Sequence, residues 1–461
     1  MVMSQRILHL GLGSFHRAHQ AVYLQNLHAL GDGSWTIAAG NIRGDASEAA
    51  AALTAQGGRY TLETVTPQGE RRYEDITSIG EVVLFEPSLA RLVALGADAA
   101  TRIISFTVTE AGYFLDQHNR LDPSHPDIAA DLKGGAACTI YGALAAILAE
   151  RMRRGGRPVT LLSCDNLRSN GERFRGGMLD FLERCGQGAL RDWVKRETTS
   201  PSCMVDRITP RPTPDVAHRV EIAVGWHDAA PVMAESFIQW VIEDHFAAGR
   251  PAWERVGAEL VASVHAHEEA KIRILNATHS CLAWAGTLKG LRYIHEDLQD
   301  PAIRCFGFDY VTDDVIPCLN GPGHPSPIDL AGYRDLVLER FGNPYIQDLN
   351  QRVAMDGFSK IPGFIAPTVR ECIALGKPMD AVAVLPALFF EFLRMWNDGR
   401  LPYRYEDGVM NPADVQAFFA APDALGAFCG HTGLWGDLAG HSALGTALRS
   451  AHLRVLAFMA G

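Results

Sequence analysis

Residues 7–16 read ILHLGLGSFH, and this stretch decides the fold that we expect. The apolar run 7–10 predicts a short buried strand, and the glycines that follow it permit a tight turn. Apolar residues then recur at helical spacing over 16–30, and residues 35–39 read as a second strand. A strand, a helix and a strand in this order predict a βαβ unit at the start of the chain.

Strands and helices continue to alternate after this unit. Residues 103–108 and 158–162 read as buried strands, and 139–153 between them as an amphipathic helix. This alternation predicts an α/β fold with a doubly wound parallel sheet, which is a Rossmann-type domain. Residues 232–246 are rich in aromatic and β-branched side chains, which favours added antiparallel strands.

The later part of the chain has a different pattern, because beyond Glu268 it is mainly helical. A chain of 461 residues is too long for one ordinary core, so we expect two domains. We predict a dinucleotide-binding domain over 1–266 and a mainly helical, substrate-binding domain over 267–461.

The composition excludes several classes of partner. Lys and Arg number 42 against 53 Asp and Glu, a net charge of −11, so we expect neither nucleic acid nor an anionic membrane surface as a partner. Nine scattered cysteines without a CxxC pair argue against a disulfide framework and fit a reducing cytoplasm. No signal-like or membrane-length apolar segment is visible, so we expect a soluble, cytoplasmic protein.

The glycine-rich turn lies where a dinucleotide fingerprint is expected. Gly11 and Gly13 would let the backbone approach a pyrophosphate, although His16 replaces the third glycine of the usual pattern. Asp45 is the candidate for the ribose hydroxyls, and Arg43 beside it leaves a phosphorylated cofactor open. The alternative for the glycines is a tight βα turn that binds no ligand. The alternative for Asp45 is a helix-capping role.

The segment KIRILNATH, residues 271–279, is the most informative one. On a regular helix Lys271, Asn276 and His279 would lie within an arc of about 140° and could converge on one substrate. Only six of the 42 basic residues are lysines, and lysine is the one whose pKa burial can lower towards neutrality. A solvated lysine beside a packed histidine is the alternative.

Three further segments carry polar groups in settings that suit a pocket. Asn166 ends CDN after a predicted strand, Asp206 stands beside an arginine in MVDRITP, and Arg352 and Lys360 bracket RVAMDGFSK. Each is also compatible with a loop cap or a salt bridge. We expect no metal, because no segment has HExxH or other zinc-ligand spacing, and no GxSxG motif indicates a serine hydrolase.

Together these segments resemble the polyol-specific long-chain dehydrogenase/reductase family, which includes mannitol dehydrogenases and fructuronate reductases. The matching motifs, in the family's order, are GLGSFHRAHQ from Gly11, TVTEAGY from Thr107, CDN, MVDRITP, KIRILNATH and NPYIQD…RVAMDGFSK. The wording of FSKIP and LPALFF is most similar to the D-arabinitol 4-dehydrogenases, which implies oxidation of D-arabinitol to D-xylulose.

The resemblance implies metal-independent hydride transfer from a sugar alcohol to NAD, with NADP less favoured. It implies Lys271 as the general base and Asn276 and Asn166 as donors to the developing oxyanion. It further implies roles for the remaining candidates: His279 and Asp206 in orienting substrate hydroxyls, Arg352 and Lys360 as weaker substrate contacts, Glu110 in gating the proton, and Gly11, Gly13 and Asp45 in holding the cofactor.

Two alternatives stay open. A mannitol 2-dehydrogenase or a fructuronate reductase belongs to the same family, and Arg352 or Lys360 could supply the cation that fructuronate needs. A non-catalytic Rossmann redox sensor that binds NADH would not need Lys271, Asn276 and His279 together. The partner expected from the resemblance is a small polyol or ketose, and the family favours a monomer.

Overall fold

The computed structural model describes residues 4–116, 119–321 and 325–461. The chain divides into two compact units, Met1–His265 and Ala266–Gly461. Among the described residues, no helix is both long and apolar enough to cross a membrane.

Twelve strands lie within the described residues of the first unit. They are β1 Gln5–Leu10, β2 Trp35–Gly40, β3 Tyr60–Val65, β4 Arg71–Ile76, β5 Ile79–Val83, β6 Thr101–Phe106, β7 Val159–Ser163, β8 Thr198–Thr199, β9 Cys203–Asp206, β10 Val232–Glu235, β11 Gln239–Glu243 and β12 Glu259–Val261.

Six of these strands form one parallel sheet in the order β5-β2-β1-β6-β7-β8. The chain runs outward from β1 in one direction and then returns to build β6, β7 and β8 on the other side. This reversal between β1 and β6 creates the crevice at which open α/β sheets bind ligands, outside the carboxyl ends of the strands. The predicted doubly wound parallel sheet is confirmed.

Both faces of the sheet are covered. In β1, Ile7 packs into one hydrophobic cluster, while Leu8 and Leu10 pack into the cluster on the other face. Successive side chains of a strand point to opposite faces, so a strand buried on both sides reads as the continuous apolar run seen in the sequence.

Two three-stranded sheets complete the unit, in the orders β10-β3-β4 and β12-β11-β9. β11, which lies within 232–246, pairs in antiparallel fashion with β9, as expected, but in parallel with β12. β3 and β4 form a further antiparallel pair that was not predicted. β10 pairs in parallel with β3, which departs from the expectation. The long connection before β10 includes a helix, and such a crossover is what a parallel pair requires.

The helices of the first unit are Ser14–Ala18, Gln20–Ala29, Ser47–Ala55, Ala90–Ala97, Pro126–Leu132, Ile140–Arg153, Asn170–Arg184, Gly188–Glu197 and Pro214–Val224, with 3₁₀ turns at Gly44–Ala46, Glu110–Tyr113 and Trp253–Val256. The helix expected over 16–30 is therefore divided in two. His19 lies between the halves at φ −128°, ψ −88°, outside the helical region, and its ring is 2.9 Å from the carbonyl oxygen of Gln239.

The second unit is helical, as predicted. Its α-helices are His265–Ala270, Ala277–Leu288, Ile294–Asp297, Pro301–Asp309, Ile316–Leu319, Leu330–Phe341, Asn350–Ala354, Gly357–Lys360, Ala366–Ala374, Val384–Asn397, Pro412–Ala420, Ala424–Cys429, Thr432–Trp435 and Ser442–Ala460, with a 3₁₀ turn at Gly436–Leu438. Three π-helical segments interrupt them, Lys271–Asn276, Tyr310–Val315 and Ile361–Ile365. Trp284 and Phe389, with ring centres 4.8 Å apart, lie in its core.

Candidate active site

The glycine loop follows the carboxyl end of β1, and its backbone conformation is tightly constrained. Gly11 has φ +113°, and a Cβ there would stand 2.2 Å from the carbonyl oxygen of Thr107. The Thr107 hydroxyl donates to the Gly11 carbonyl at 2.9 Å, and the N–H of Leu12 donates to Asn41 Oδ1 at 2.7 Å. Only glycine fits at position 11 because both the backbone conformation and the neighbouring strand exclude a side chain.

His16, which stands at the position of the third glycine of the usual pattern, packs against β1. His16 stacks on His9 of β1 with ring centres 3.4 Å apart, and His9 Nε2 is 3.1 Å from the Gly11 carbonyl oxygen. The third glycine normally allows a helix to approach the first strand closely. Here two flat rings fill that contact instead, which explains how the loop keeps its shape without the glycine.

The loop is open at its second glycine. The nearest atom to a Cβ built on Gly13 is the Gly11 carbonyl oxygen, 4.0 Å away. Asp45 is exposed in the 3₁₀ turn after β2. Arg43 is already engaged: its guanidinium lies 2.5 Å from Asp127 Oδ2 and donates to the Cys138 carbonyl at 2.8 Å.

Asp165, which the sequence analysis did not single out, follows β7 and binds the segment that follows β6. Asp165 Oδ1 accepts from the backbone N–H groups of Val108 at 2.9 Å and Thr109 at 2.8 Å, and Oδ2 accepts from the Tyr113 hydroxyl at 2.9 Å. Burial raises the pKa of Asp165 to about 6, against the opposing effect of these hydrogen bonds. The candidates Glu110 and Asn166 flank this arrangement and are both exposed.

Asp206 lies apart from that sheet. It is buried in β9, in register with Gln239 of β11. Its neighbour Arg207 has a structural role, since its guanidinium donates to the carbonyl oxygens of Ala18 at 2.6 Å and Glu235 at 3.0 Å.

In the second unit, Lys271 and Asn276 are the first and last residues of a π-helical segment. The regular helix assumed from the sequence is wrong here. In a π-helix the hydrogen bonds join residues five apart, so Asn276 lies nearly in line with Lys271 along the helix instead of far around it. Lys271 is buried and Asn276 is half-buried. The wider turn brings the two side chains onto a common face.

Arg273 fixes this π-helical segment to the rest of the unit. Its side chain is fully buried, lies 2.8 Å from Glu371 Oε2 and donates from Nε to the Thr368 hydroxyl at 3.0 Å. Both partners belong to the helix Ala366–Ala374. The sequence gave no reason to distinguish this arginine from the other 35.

His279 and Arg352 converge on Asp348, a residue that sequence reasoning missed. His279 Nε2 is 3.2 Å from Asp348 Oδ2, and its ring stacks on Phe341 with centres 4.3 Å apart. Arg352 holds the same carboxylate through Nε at 2.7 Å and Nη2 at 2.5 Å. Asp348 ends the motif NPYIQD four residues before Arg352, and that i, i+4 spacing was the available signal.

The protonation states in this cluster follow from burial and contact. Burial lowers the pKa of His279, so the imidazole is neutral at pH 7. Burial alone would raise the pKa of Asp348, but His279 and Arg352 hold it well below its usual range. Burial lowers the pKa of Lys360 to about 8, and its amine donates to the Val353 carbonyl.

Within the part of the chain that the structure describes, no group of three or more His, Cys, Asp or Glu side chains is arranged to hold a metal ion. The polar groups identified above are amines, amides, imidazoles and carboxylates paired with other side chains or with the backbone. They can exchange protons and hydrogen-bond hydroxyl groups.

A Rossmann-type sheet with an open glycine loop, followed by a helical unit with a buried lysine, defines the class of two-domain dinucleotide-binding proteins. The model of the mannitol dehydrogenase Rossmann domain matches residues 5–255, and that of the mannitol dehydrogenase C-terminal domain matches residues 263–455. The chain belongs to the mannitol dehydrogenase family, which confirms the resemblance seen in its motifs.

Three relatives match most of the chain. The chain is 62% identical to a D-arabinitol 4-dehydrogenase of Ralstonia nicotianae, over 98% of this chain and 97% of that one. It is 55% identical to the D-arabinitol 4-dehydrogenase of Klebsiella pneumoniae, over 94% of each. A mannitol 2-dehydrogenase of Cereibacter sphaeroides is 39% identical over 84% of this chain and 80% of its own length.

A solved structure supports the same relationship. The Pseudomonas fluorescens mannitol 2-dehydrogenase, in a ternary complex with NAD and D-mannitol, superposes with a TM-score of 0.85 at 33% identity. The match covers 99% of this chain and 94% of that one.

Proposed function

We propose that this chain oxidises a sugar alcohol to a ketose with NAD, and that its substrate and product are D-arabinitol and D-xylulose. The identities of 62% and 55% to two D-arabinitol 4-dehydrogenases carry this proposal. Mannitol 2-dehydrogenases are also relatives, at 39% identity in the Cereibacter sphaeroides enzyme, so D-mannitol is the second candidate substrate.

The first unit suits a dinucleotide. Gly11 allows the loop to pass close to Thr107, the open position at Gly13 leaves room for a pyrophosphate, and Asp45 is exposed where ribose hydroxyls are expected. We assign Gly11, Gly13 and Asp45 to the cofactor, and residues 1–266 and 267–461 to the cofactor and substrate domains.

NAD is the preferred form in this proposal. A carboxylate at Asp45 accepts from a ribose 2′-hydroxyl and repels a 2′-phosphate. Arg43 is the cation nearest in sequence. Its contact with Asp127 compensates its charge, and its Nε and Nη2 groups already donate to the Cys138 carbonyl and to Asp127. Both features favour the unphosphorylated cofactor.

NAD, when bound, supplies the acceptor for the hydride that leaves the carbinol carbon. Lys271 takes the hydroxyl proton, and Asn276 and Asn166 donate hydrogen bonds to the oxygen as its charge develops. Glu110 passes that proton on to solvent. The secondary alcohol thus loses one hydride and one proton and becomes a ketone.

His279 and Asp206 orient the remaining substrate hydroxyls, with further contacts from Arg352 and Lys360. A neutral His279 can accept or donate a hydrogen bond, which suits a polyol. Fructuronate reduction would call for an available cation. The bidentate contact of Arg352 with Asp348 disfavours Arg352 in that role and leaves Lys360 as the candidate cation. We also propose a monomer, as the family resemblance implies, and a cytoplasmic location, which the scattered cysteines without a CxxC pair favour.

The test is NADH formation from a panel of pentitols and hexitols, run together with NADH-dependent reduction of fructuronate. The proposal predicts the highest kcat/KM with D-arabinitol and D-xylulose as the product. A higher kcat/KM with D-mannitol would assign the chain to the second candidate. NADH binding without turnover of any substrate would instead indicate the redox sensor.

A further inference from the structure

Asp348 connects two residues to which substrate contacts are assigned above. Its Oδ2 atom lies 3.2 Å from His279 Nε2, and both of its oxygens accept from Arg352, at 2.7 and 2.5 Å. The side chain of Asp348 is 10% exposed, whereas that of Arg352 is 63% exposed. A buried carboxylate therefore holds an arginine that reaches to the surface of the helical unit.

This pairing determines how much of the positive charge of Arg352 a substrate would meet. A guanidinium binds a carboxylate best through two parallel N–H groups, and Arg352 already uses its Nε and Nη2 for Asp348. His279 adds no charge, because burial lowers its pKa. The positive charge of Arg352 is thus compensated within the protein, and it offers a substrate a donor but no net attraction for an anion.

The same carboxylate places an acceptor 3.2 Å from His279 Nε2. A carboxylate can only accept, so its contact favours the tautomer with the proton on Nε2. Nδ1 then keeps a lone pair that can accept a hydrogen bond from a hydroxyl group. Both neighbours of Asp348 are in this way suited to an uncharged, hydroxyl-bearing ligand.

We propose that Asp348 is a specificity-determining residue that selects uncharged polyols and ketoses over substrates bearing a carboxylate, such as ketouronates. This inference rests on the proposed function, since it assigns the charge of the ligand that the same residues accept. Asp348 acts through Arg352 and His279, and it is a positioning residue with no contact to the reacting atoms.

The experiment compares NADH-dependent reduction of D-xylulose and D-fructuronate by the wild-type enzyme and Asp348→Asn. The amide keeps the shape but removes the charge, so Arg352 becomes available to a substrate carboxylate. We expect the ratio of kcat/KM for fructuronate to kcat/KM for xylulose to rise roughly 10- to 100-fold, the range of a charged hydrogen bond. A ratio cancels any general loss of activity that follows from disturbing His279.

Asp437→Asn is the matched control. Asp437 also pairs with an arginine of the second unit, Arg370, at 2.5 Å, but both side chains lie on the surface. This variant loses the same charge and should keep the wild-type ratio. An unchanged ratio in Asp348→Asn, or an equal shift in Asp437→Asn, would overturn the inference.

A measurement on the wild-type enzyme decides the question even if Asp348→Asn does not fold. D-arabinonate carries a carboxylate in place of a terminal alcohol of D-arabinitol, and we expect it to compete with D-arabinitol at least about tenfold more weakly than a neutral analogue such as xylitol. Competition by arabinonate as strong as that of xylitol would contradict the role of Asp348. A wild-type enzyme that oxidises no polyol would instead refute the proposed function.

Discussion

The backbone N–H of Thr109 donates a 2.8 Å hydrogen bond to the carboxylate of Asp165 while Thr109 holds φ at +64°. A threonine rarely adopts a positive φ, and such a conformation costs on the order of 1–3 kcal/mol. It persists because Asp165 also accepts from the neighbouring Val108 N–H and from Tyr113. Asp165 thereby fixes the loop that leads directly into Glu110.

Asp165→Ala should therefore destabilise the first unit. It leaves two backbone N–H groups without their acceptor, and we expect the free energy of unfolding in urea to fall by about 2–4 kcal/mol. Thr109→Gly is the complementary change, because glycine adopts this backbone conformation without strain; it should raise the free energy of unfolding by about 1 kcal/mol. Wild-type stability in Asp165→Ala would show that other contacts hold the loop.

A second buried carboxyl makes stability depend on pH. Asn350 Nδ2 donates to Asp297 Oδ1 at 3.0 Å, while Asp297 Oδ2 and Asn350 Oδ1 are both buried and have no hydrogen-bond partner among the residues that the structure describes. Burial raises the pKa of Asp297 to about 8. A protonated Asp297 can donate from Oδ2 to the amide oxygen, which satisfies both atoms.

The folded state then binds a proton that the unfolded chain has lost, so the free energy of unfolding must fall as pH rises from about 4 to about 8. The slope from this one group reaches about 1.4 kcal/mol per pH unit. Asp297→Asn supplies the donor at every pH and should flatten the profile. Asp335→Asn, an exposed partner of Arg334, is the control and should keep the wild-type slope.

Cofactor preference can be tested at two positions. Asp45→Ala should lower the ratio of kcat/KM for NAD to kcat/KM for NADP. The variant loses the contact to the 2′-hydroxyl of NAD and no longer repels the 2′-phosphate of NADP. Asp127→Asn releases Arg43 from its ion pair. Combined with Asp45→Ala, it should lower this NAD-to-NADP ratio further. A wild-type preference for NADP would transfer the assignment from Asp45 to Arg43.

Metal removal should leave turnover intact. In the proposed mechanism, a lysine amine and two amides perform the proton transfer and the oxyanion stabilisation that a metal ion would otherwise supply. We expect the same kcat before and after exhaustive chelation with EDTA. Loss of activity that zinc restores would refute the lysine mechanism.

The features that were predictable from the sequence are local ones. The apolar run of β1, the glycine loop and the helix Ile140–Arg153 follow from patterns within about 15 residues, and the structure contains all three. The family motifs predicted the family correctly, and through KIRILNATH they also nominate Lys271 as a site residue, which stays a prediction.

What the sequence did not reveal depends on partners far away in the chain. Arg43 meets Asp127 84 positions later, and Arg273 meets Thr368 95 positions later. The π-helical segment at Lys271 has no simple residue signature, because its wide turn is held by that distant contact of Arg273. Asp348 was missed because His279, which lies 3.2 Å from it, is 69 residues earlier in the chain.

Lys271 requires a neutral amine to act as a base. Oxidation of D-arabinitol should therefore rise with pH as the amine loses its proton, while reduction of D-xylulose should favour lower pH. Lys271→Arg should be nearly inactive, because an arginine keeps the charge but cannot accept the proton. Lys360, whose burial lowers its pKa to about 8, is the other amine that could produce such a profile.

The most direct measurement is the pH dependence of D-arabinitol oxidation in Lys271→Ala and Lys360→Ala, with NADH affinity measured by fluorescence alongside. Lys271→Ala should lose on the order of 10²–10⁴ in rate together with the rise with pH, while it binds NADH like the wild-type enzyme. Lys360→Ala should keep the rise with pH and lose less than about tenfold in rate. A Lys271→Ala enzyme that retains the wild-type pH profile, or a profile that disappears in Lys360→Ala, would contradict Lys271 as the general base.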